Sequence, residues 1–145
     1  MRRSSPELQD LARRLIALET RGKNSSELDA SAIFLATGKL RPQLVTLMGN
    51  TGFRALLSRA LALAGTEVPW LRAVHVKADG TLEGLDELEA QVDPEAIVKG
   101  EIALLAQLFG LLVAFIGEDL TLRLASETWP KLSFNDSELG IGRRR

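Results

Sequence analysis

The sequence predicts an all-α fold: a compact bundle of five to seven helices around a buried central helix near 94–117, with one small β-hairpin near 73–83. Three observations support this prediction. Residues 102–116 are the most apolar stretch of the chain, with one polar side chain, Gln107, and no charge. A helix of that composition must be enclosed on every side. Elsewhere leucine and alanine recur at helical spacing, and only one segment shows the clear alternation of a hairpin.

Composition indicates an ordinary folded protein. The chain has 145 residues, of which 46% are hydrophobic and 26% are charged. This balance predicts one helical domain over 1–130. We expect residues 131–145 to form a tail that is partly anchored and has a frayed basic end. The chain has no cysteine, which excludes disulfides and agrees with the cytoplasmic location we expect. The basic N-terminus leads into an amphipathic pattern rather than an unbroken apolar run, so we expect no secretion signal.

Four short helices are predicted in the N-terminal half. The first begins at Ser5 and Pro6, where serine can cap and proline suits the first helical position, and it ends at Gly22. The next begins at Ser26, spaced from Asp29 as in a capping box. The last three helices are expected over residues 26–38, 42–48 and 51–64.

The C-terminal half begins with the hairpin. Val74 and Val76 alternate with polar residues, and Asp79-Gly80 supplies the turn. A short acidic helix is expected around residues 85–92. Asp93-Pro94 is the clearest helix start in the chain and leads into the central helix. Residues 118–129 are expected to be helical, although the alternation at 120–124 would also suit a strand.

Small residues recur at helical spacing within the central helix. A glycine inside a helix costs up to about 1 kcal/mol relative to alanine, so repeated glycines indicate close backbone approach. The approaching helix could belong to the same chain or to a second copy across a two-fold axis. A membrane span is disfavoured because charges bracket only fifteen apolar residues. This small-residue ridge comprises Gly100, Ala103, Ala106, Gly110, Ala114 and Gly117.

The sequence offers no arrangement of residues typical of an enzyme. His75 is the single histidine, cysteine and tyrosine are absent, and no phosphate-binding loop or metal-ligand spacing occurs. We therefore predict no catalytic residues, no metal and no cofactor. The expected function is that of a non-enzymatic protein-interaction or self-associating module, which would act as an adaptor, regulator or assembly subunit. We expect its partner to be another protein or a second copy of the chain, most simply in a dimer. We expect no association with a membrane.

Charge is distributed unevenly and leaves a second function open. Residues 1–65 carry ten Lys and Arg against five Asp and Glu, whereas residues 66–145 carry eight against fourteen. A basic half can bind nucleic acid or an acidic partner. A third alternative is a carrier of a small apolar ligand in a cavity beside the central helix. The residues expected to contact nucleic acid or an acidic partner are Arg13, Arg14, Arg21, Lys23, Arg54 and Arg59.

Overall fold

The computed structural model describes residues 6–23 and 31–131, and this part of the chain is mainly helical. Its α-helices are α1 (Pro6–Arg21), α2 (Ala32–Glu67), α3 (Leu85–Gln91), α4 (Pro94–Ile116) and α5 (Glu118–Thr128). Between α2 and α3 lie a 3₁₀ helix (Pro69–Ala73) and the strands β1 (His75–Val76) and β2 (Leu82–Glu83). The predicted mainly α bundle with one small hairpin is confirmed.

Helix α4 lies at the centre, as its composition requires. It packs against α1, α2 and α5, and Leu104, Leu108 and Phe109 have no exposed surface. The helix begins where Asp93 accepts a hydrogen bond from the backbone N–H of Glu95, and its predicted start is confirmed. It ends at Gly117, whose φ of 91° favours glycine.

Helix α1 buries one stripe of its surface against α4 and α2. Leu11, Ala12 and Leu15 on this stripe are fully buried, as their spacing of three and four residues predicts. The helix ends at Arg21, and the N–H of Gly22 bonds to the carbonyl of Leu18. The predicted cap Ser5 lies outside the described residues.

Helix α2 is longer than the sequence predicts. We expected an end at Gly38 and a new helix from Pro42, but the helix continues through both, because Leu40 and Leu44 extend its buried stripe. Pro42 cannot donate to the carbonyl of Gly38 four residues earlier, so the helix continues with one backbone hydrogen bond fewer. The predicted break at Gly49 is confirmed: its φ of 79° and ψ of 164° interrupt the helix.

The start of α2 falls later than the predicted Ser26. Ser31 is the cap, and its hydroxyl accepts from the N–H of Phe34 at 3.1 Å. The predicted Ser26–Asp29 capping box belongs to residues 24–30, outside the described part of the chain. The predicted tail also lies outside it, except for Lys131.

The hairpin is short and is held against α2. Arg41 donates to the carbonyl of Asp79 at 3.1 Å, and Asn50 donates to the carbonyl of Ala78 at 3.3 Å. Gly80, with φ of 86°, lies against the ring of Phe53, so a side chain there would be crowded. A hairpin of two-residue strands depends on such contacts, because it is marginal alone.

Trp70 explains one glycine of the central helix. Its indole covers Gly100 so closely that a Cβ there would lie 2.4 Å from Cζ2, and Nε1 donates to the carbonyl of Ala96 at 2.9 Å. At Gly100, the group that approaches the backbone of the central helix is therefore a tryptophan side chain of the same chain.

We expect Gly100→Ala to destabilise the fold by about 1–2 kcal/mol, because the overpacking against Trp70 exceeds the gain in helix propensity. Gly38→Ala is the matched control. That helical glycine has open space around it, so alanine should stabilise by about 0.5–1 kcal/mol. Urea unfolding of both variants measures the difference. Equal effects of the same sign would show that Trp70 does not require Gly100.

Candidate functional site

The small-residue ridge of α4 is divided between the core and the surface. Gly100, Ala103 and Ala106 are buried, whereas Ala114 and Gly117 are exposed. Gly110 is half-buried, and a Cβ there would lie 3.6 Å from Leu8 Cδ1 of α1. In the part of the chain that the structure describes, the N-terminal part of the ridge therefore packs within the chain, and its C-terminal end is accessible.

Phe115 stands beside this accessible end. It is 68% exposed, the highest value among the large hydrophobic side chains of the described residues. Leu111, one helical turn earlier on the same face, is half-buried. An exposed phenylalanine at the end of the most apolar helix indicates a contact surface more strongly than a scattered surface leucine would.

A depression of about 450 Å³ begins directly after Phe115, at the elbow between α4 and α5. The elbow forms because the left-handed conformation of Gly117 ends one helix and starts the next. A Cβ at Gly117 would meet no atom within 4 Å, so the space above it is open. The depression is lined by Ile116, Gly117, Glu118, Asp119, Leu120 and Arg123. We call Phe115 together with this depression the elbow surface.

The predicted basic contacts do not form one recognition helix. Arg54 and Arg59 point roughly 140° apart around α2, and Arg54 is half-buried. Arg13 is exposed and pairs with Asp10 at 3.4 Å. Arg13, Arg14 and Arg21 share one side of α1, spanning roughly 100° of arc. Lys23 follows α1 and lies near Glu101, and its positive charge acts to lower the pKa of that carboxyl group.

A buried carboxylate that the sequence analysis missed joins three elements. Glu19 of α1 is 4% exposed, and its Oε2 accepts from Trp129 Nε1 at 2.6 Å. The same oxygen lies 2.7 Å from Lys39 Nζ of α2. An ion pair with a buried partner and an indole donor fixes the relative positions of α1, α2 and the end of α5. Sequence spacing gives no signal for it, since Glu19 and Trp129 are 110 residues apart.

A second buried carboxylate lies at the start of α2. Glu101 of α4 is 4% exposed, and Oε2 accepts from the N–H of Ile33 at 3.4 Å. The pKa of Glu101 is raised from 4.5 to about 7, chiefly by burial and in smaller part by the nearby charge of Glu89. The N–H groups of Ile33 and Ala32 and the charge of Lys23 act in the opposite direction on this pKa. Desolvation exceeds the helix-terminus stabilisation.

The described residues do not gather a metal-binding cluster. Within residues 6–23 and 31–131, no three His, Asp or Glu side chains gather so that they could hold a metal ion. His75 is exposed on β1, opposite Glu83 of β2.

Comparison with known proteins gives no family for this chain. No protein-family model matches it, and neither a curated protein nor a solved structure does. Among the described helices, α4 is long and apolar enough to cross a membrane, but 61% of its most apolar window is buried in the fold, as in a core helix.

Glu101 gives a pH-dependent prediction. Between pH 4.5 and 7, Glu101 keeps its proton in the folded chain but has lost it in the unfolded chain, because its pKa is raised on folding. The free energy of unfolding therefore falls as pH rises through this range. Above pH 7, the ionised Glu101 lowers the free energy of unfolding by at most about 3 kcal/mol. Glu101→Gln keeps an acceptor for Ile33 and removes this cost, so the variant should gain stability over the parent across that window.

Urea unfolding at a series of pH values measures the gap between Glu101→Gln and the parent. Glu127→Gln, at an exposed position on α5, is the control and should follow the parent at every pH. A gap for Glu101→Gln that stays constant from pH 4.5 to 7.5 would contradict the assignment of a raised pKa to Glu101.

Proposed function

We propose that this chain is a non-enzymatic, self-associating helical module that acts in the cytoplasm as an adaptor, regulator or assembly subunit. The observation that carries the proposal is the exposure of Phe115, 68% of whose surface is accessible, next to the depression at the elbow. The proposed occupant of this surface is a second copy of the chain, because the elbow surface contains both a projecting ring and a cavity that could receive one.

The size of the depression suits an aromatic side chain. Its volume of about 450 Å³ exceeds that of a phenylalanine ring, and Ile116 and Leu120 contribute apolar walls. Because ring and depression are adjacent, a two-fold axis would place each Phe115 in the partner's depression. Burying one such side chain contributes roughly 2–3 kcal/mol, and the symmetric contact occurs twice.

Charge at the rim supports the same arrangement. Glu118 and Asp119 carry negative charge, and Arg123, one helical turn later, carries positive charge. A two-fold axis places the elbow surface of one chain against the same surface of the second copy. Because this surface carries both negative and positive charge, its acids can pair with the arginine of the second copy. A patch of one sign would repel its copy.

The exposed end of the ridge allows close approach. Ala114 and Gly117 have small side chains or none, so the backbone of a partner helix could come near α4 beside Phe115. Gly110 is a poor position at which to test this contact, because Leu8 of α1 already lies against it.

Phe115→Ser tests the proposal. We expect the parent chain to reach the mass of a dimer with rising concentration in light scattering, and Phe115→Ser to remain a monomer tenfold above the parent's midpoint. Phe34→Ser on α2 is the matched control: Phe34 is 39% exposed but remote in sequence from the elbow, so this variant should dimerise like the parent. Ala114→Leu should also weaken the dimer, by crowding the approach.

Circular dichroism of each variant establishes that the helices are retained. Two results would overturn the proposal. One is a parent chain that stays monomeric at every accessible concentration. The other is a folded Phe115→Ser variant that keeps the dimer mass.

A further inference from the structure

A pocket of about 540 Å³ lies between the C-terminal ends of α1 and α5. Its volume falls within the range of about 300–1,000 Å³ that is usual for small-molecule sites. Leu18, Trp129 and Pro130 give it apolar surface. The pocket shares no lining residue with the elbow surface, and it lies at the opposite end of α5.

The aromatic wall of this pocket is held in place. Trp129 is 4% exposed and meets Phe109 of α4 edge to face, with ring centroids 6.4 Å apart. Its Nε1 donates to Glu19 at 2.6 Å, which fixes the indole from the other side. Because packing and hydrogen bonding already fix this side chain, ligand binding does not carry the entropic cost of ordering it.

Positive charge surrounds the pocket. Lys39 is held by Glu19, with Nζ 2.7 Å from the carboxylate, yet about half of the lysine side chain is exposed. Arg21 and Lys131 are exposed and form no side-chain ion pair or hydrogen bond within the part of the chain that the structure describes. Among the residues that the structure describes, the pocket thus has three cations against one carboxylate, and two of these cations have no partner.

The helix ends reduce this positive charge without cancelling it. The C-termini of α1 and α5 each carry about half a negative charge, so together they offset about one of the cations. Glu19 offsets another. About one positive charge remains, next to an apolar wall, and this combination suits an apolar molecule that carries a single negative charge.

We infer that this pocket binds a small aromatic monoanion. The aromatic body would pack on Leu18 and Pro130 beside the accessible edge of Trp129, and the anionic group would lie between Arg21 and Lys131. A neutral molecule of the same shape would bind less well because it would leave both cations without a partner. The inference does not depend on self-association, since the elbow surface contributes no residue to this pocket.

Naphthalene-2-sulfonate is the probe for the test, and 2-naphthol is its neutral counterpart. Titration of the full-length chain by two-dimensional ¹H–¹⁵N NMR reports where each molecule binds. We expect the sulfonate to shift the amide signals of residues 18–22, Lys39, Thr128, Trp129 and Lys131, and the indole N–H signal of Trp129. At the same concentration, 2-naphthol should give shifts at least fivefold smaller.

Substitutions of the two unpaired cations test the assigned roles. Arg21→Gln and Lys131→Gln should each weaken sulfonate binding three- to fivefold, and the double variant about tenfold or more. Arg59→Gln, an exposed arginine on α2, is the matched control and should bind like the parent. All three positions are exposed, so the variants should keep the parent's fold and its self-association.

Several results would overturn this inference. One is equal binding of 2-naphthol and the sulfonate, which would show that charge plays no part. Another is a set of shifts centred on Phe115, which would place the probe at the elbow surface. A loss of affinity in Arg59→Gln as large as that in the double variant would indicate diffuse charge attraction. Absence of any shift at millimolar probe would also contradict the site.

Discussion

The fold depends on the enclosure of residues 102–116 of α4, a helical stretch that is apolar around its whole circumference. Water must be kept from every side of such a helix, and α1, α2 and α5 together provide that cover. Trp70 covers the helix near its start, where Gly100 leaves room for the indole. The cover ends in the last turn, because Gly117 directs α5 away. The exposure of Phe115 follows from that turn, so the same glycine that ends the core helix creates the elbow surface.

Three buried polar side chains of α1 and α4 contact other helices near the ends of those helices. Gln107, the polar residue of the apolar stretch, donates to Glu67 in the last turn of α2 at 3.0 Å. Glu101 accepts from the first turn of α2, and Glu19 accepts from the cap of α5. Each group satisfies a partner that would otherwise be costly to bury. These contacts specify which helix ends meet, whereas the apolar core alone would tolerate small displacements.

Local features of the sequence predicted the elements that depend on local physics. The bounds of α4 follow from Asp93-Pro94 and Gly117, and the hairpin follows from valine alternation and the Asp79-Gly80 turn. The continuation of α2 through Pro42 could not be predicted, because distant burial of Leu40 and Leu44 decides it. The pocket between α1 and α5 was likewise inaccessible to pattern analysis, since no periodicity relates Glu19 to Trp129.

The two tryptophans give the fold a built-in optical readout. Trp70 touches α4 at Gly100 and is half-buried, whereas Trp129 touches it at Phe109 and is almost fully buried. Those two helix positions are about 13 Å apart along the axis. The chain has no tyrosine, so its near-ultraviolet emission comes almost entirely from these two indoles. With one of them replaced by phenylalanine, fluorescence would show whether the two contacts along the central helix loosen together or in sequence.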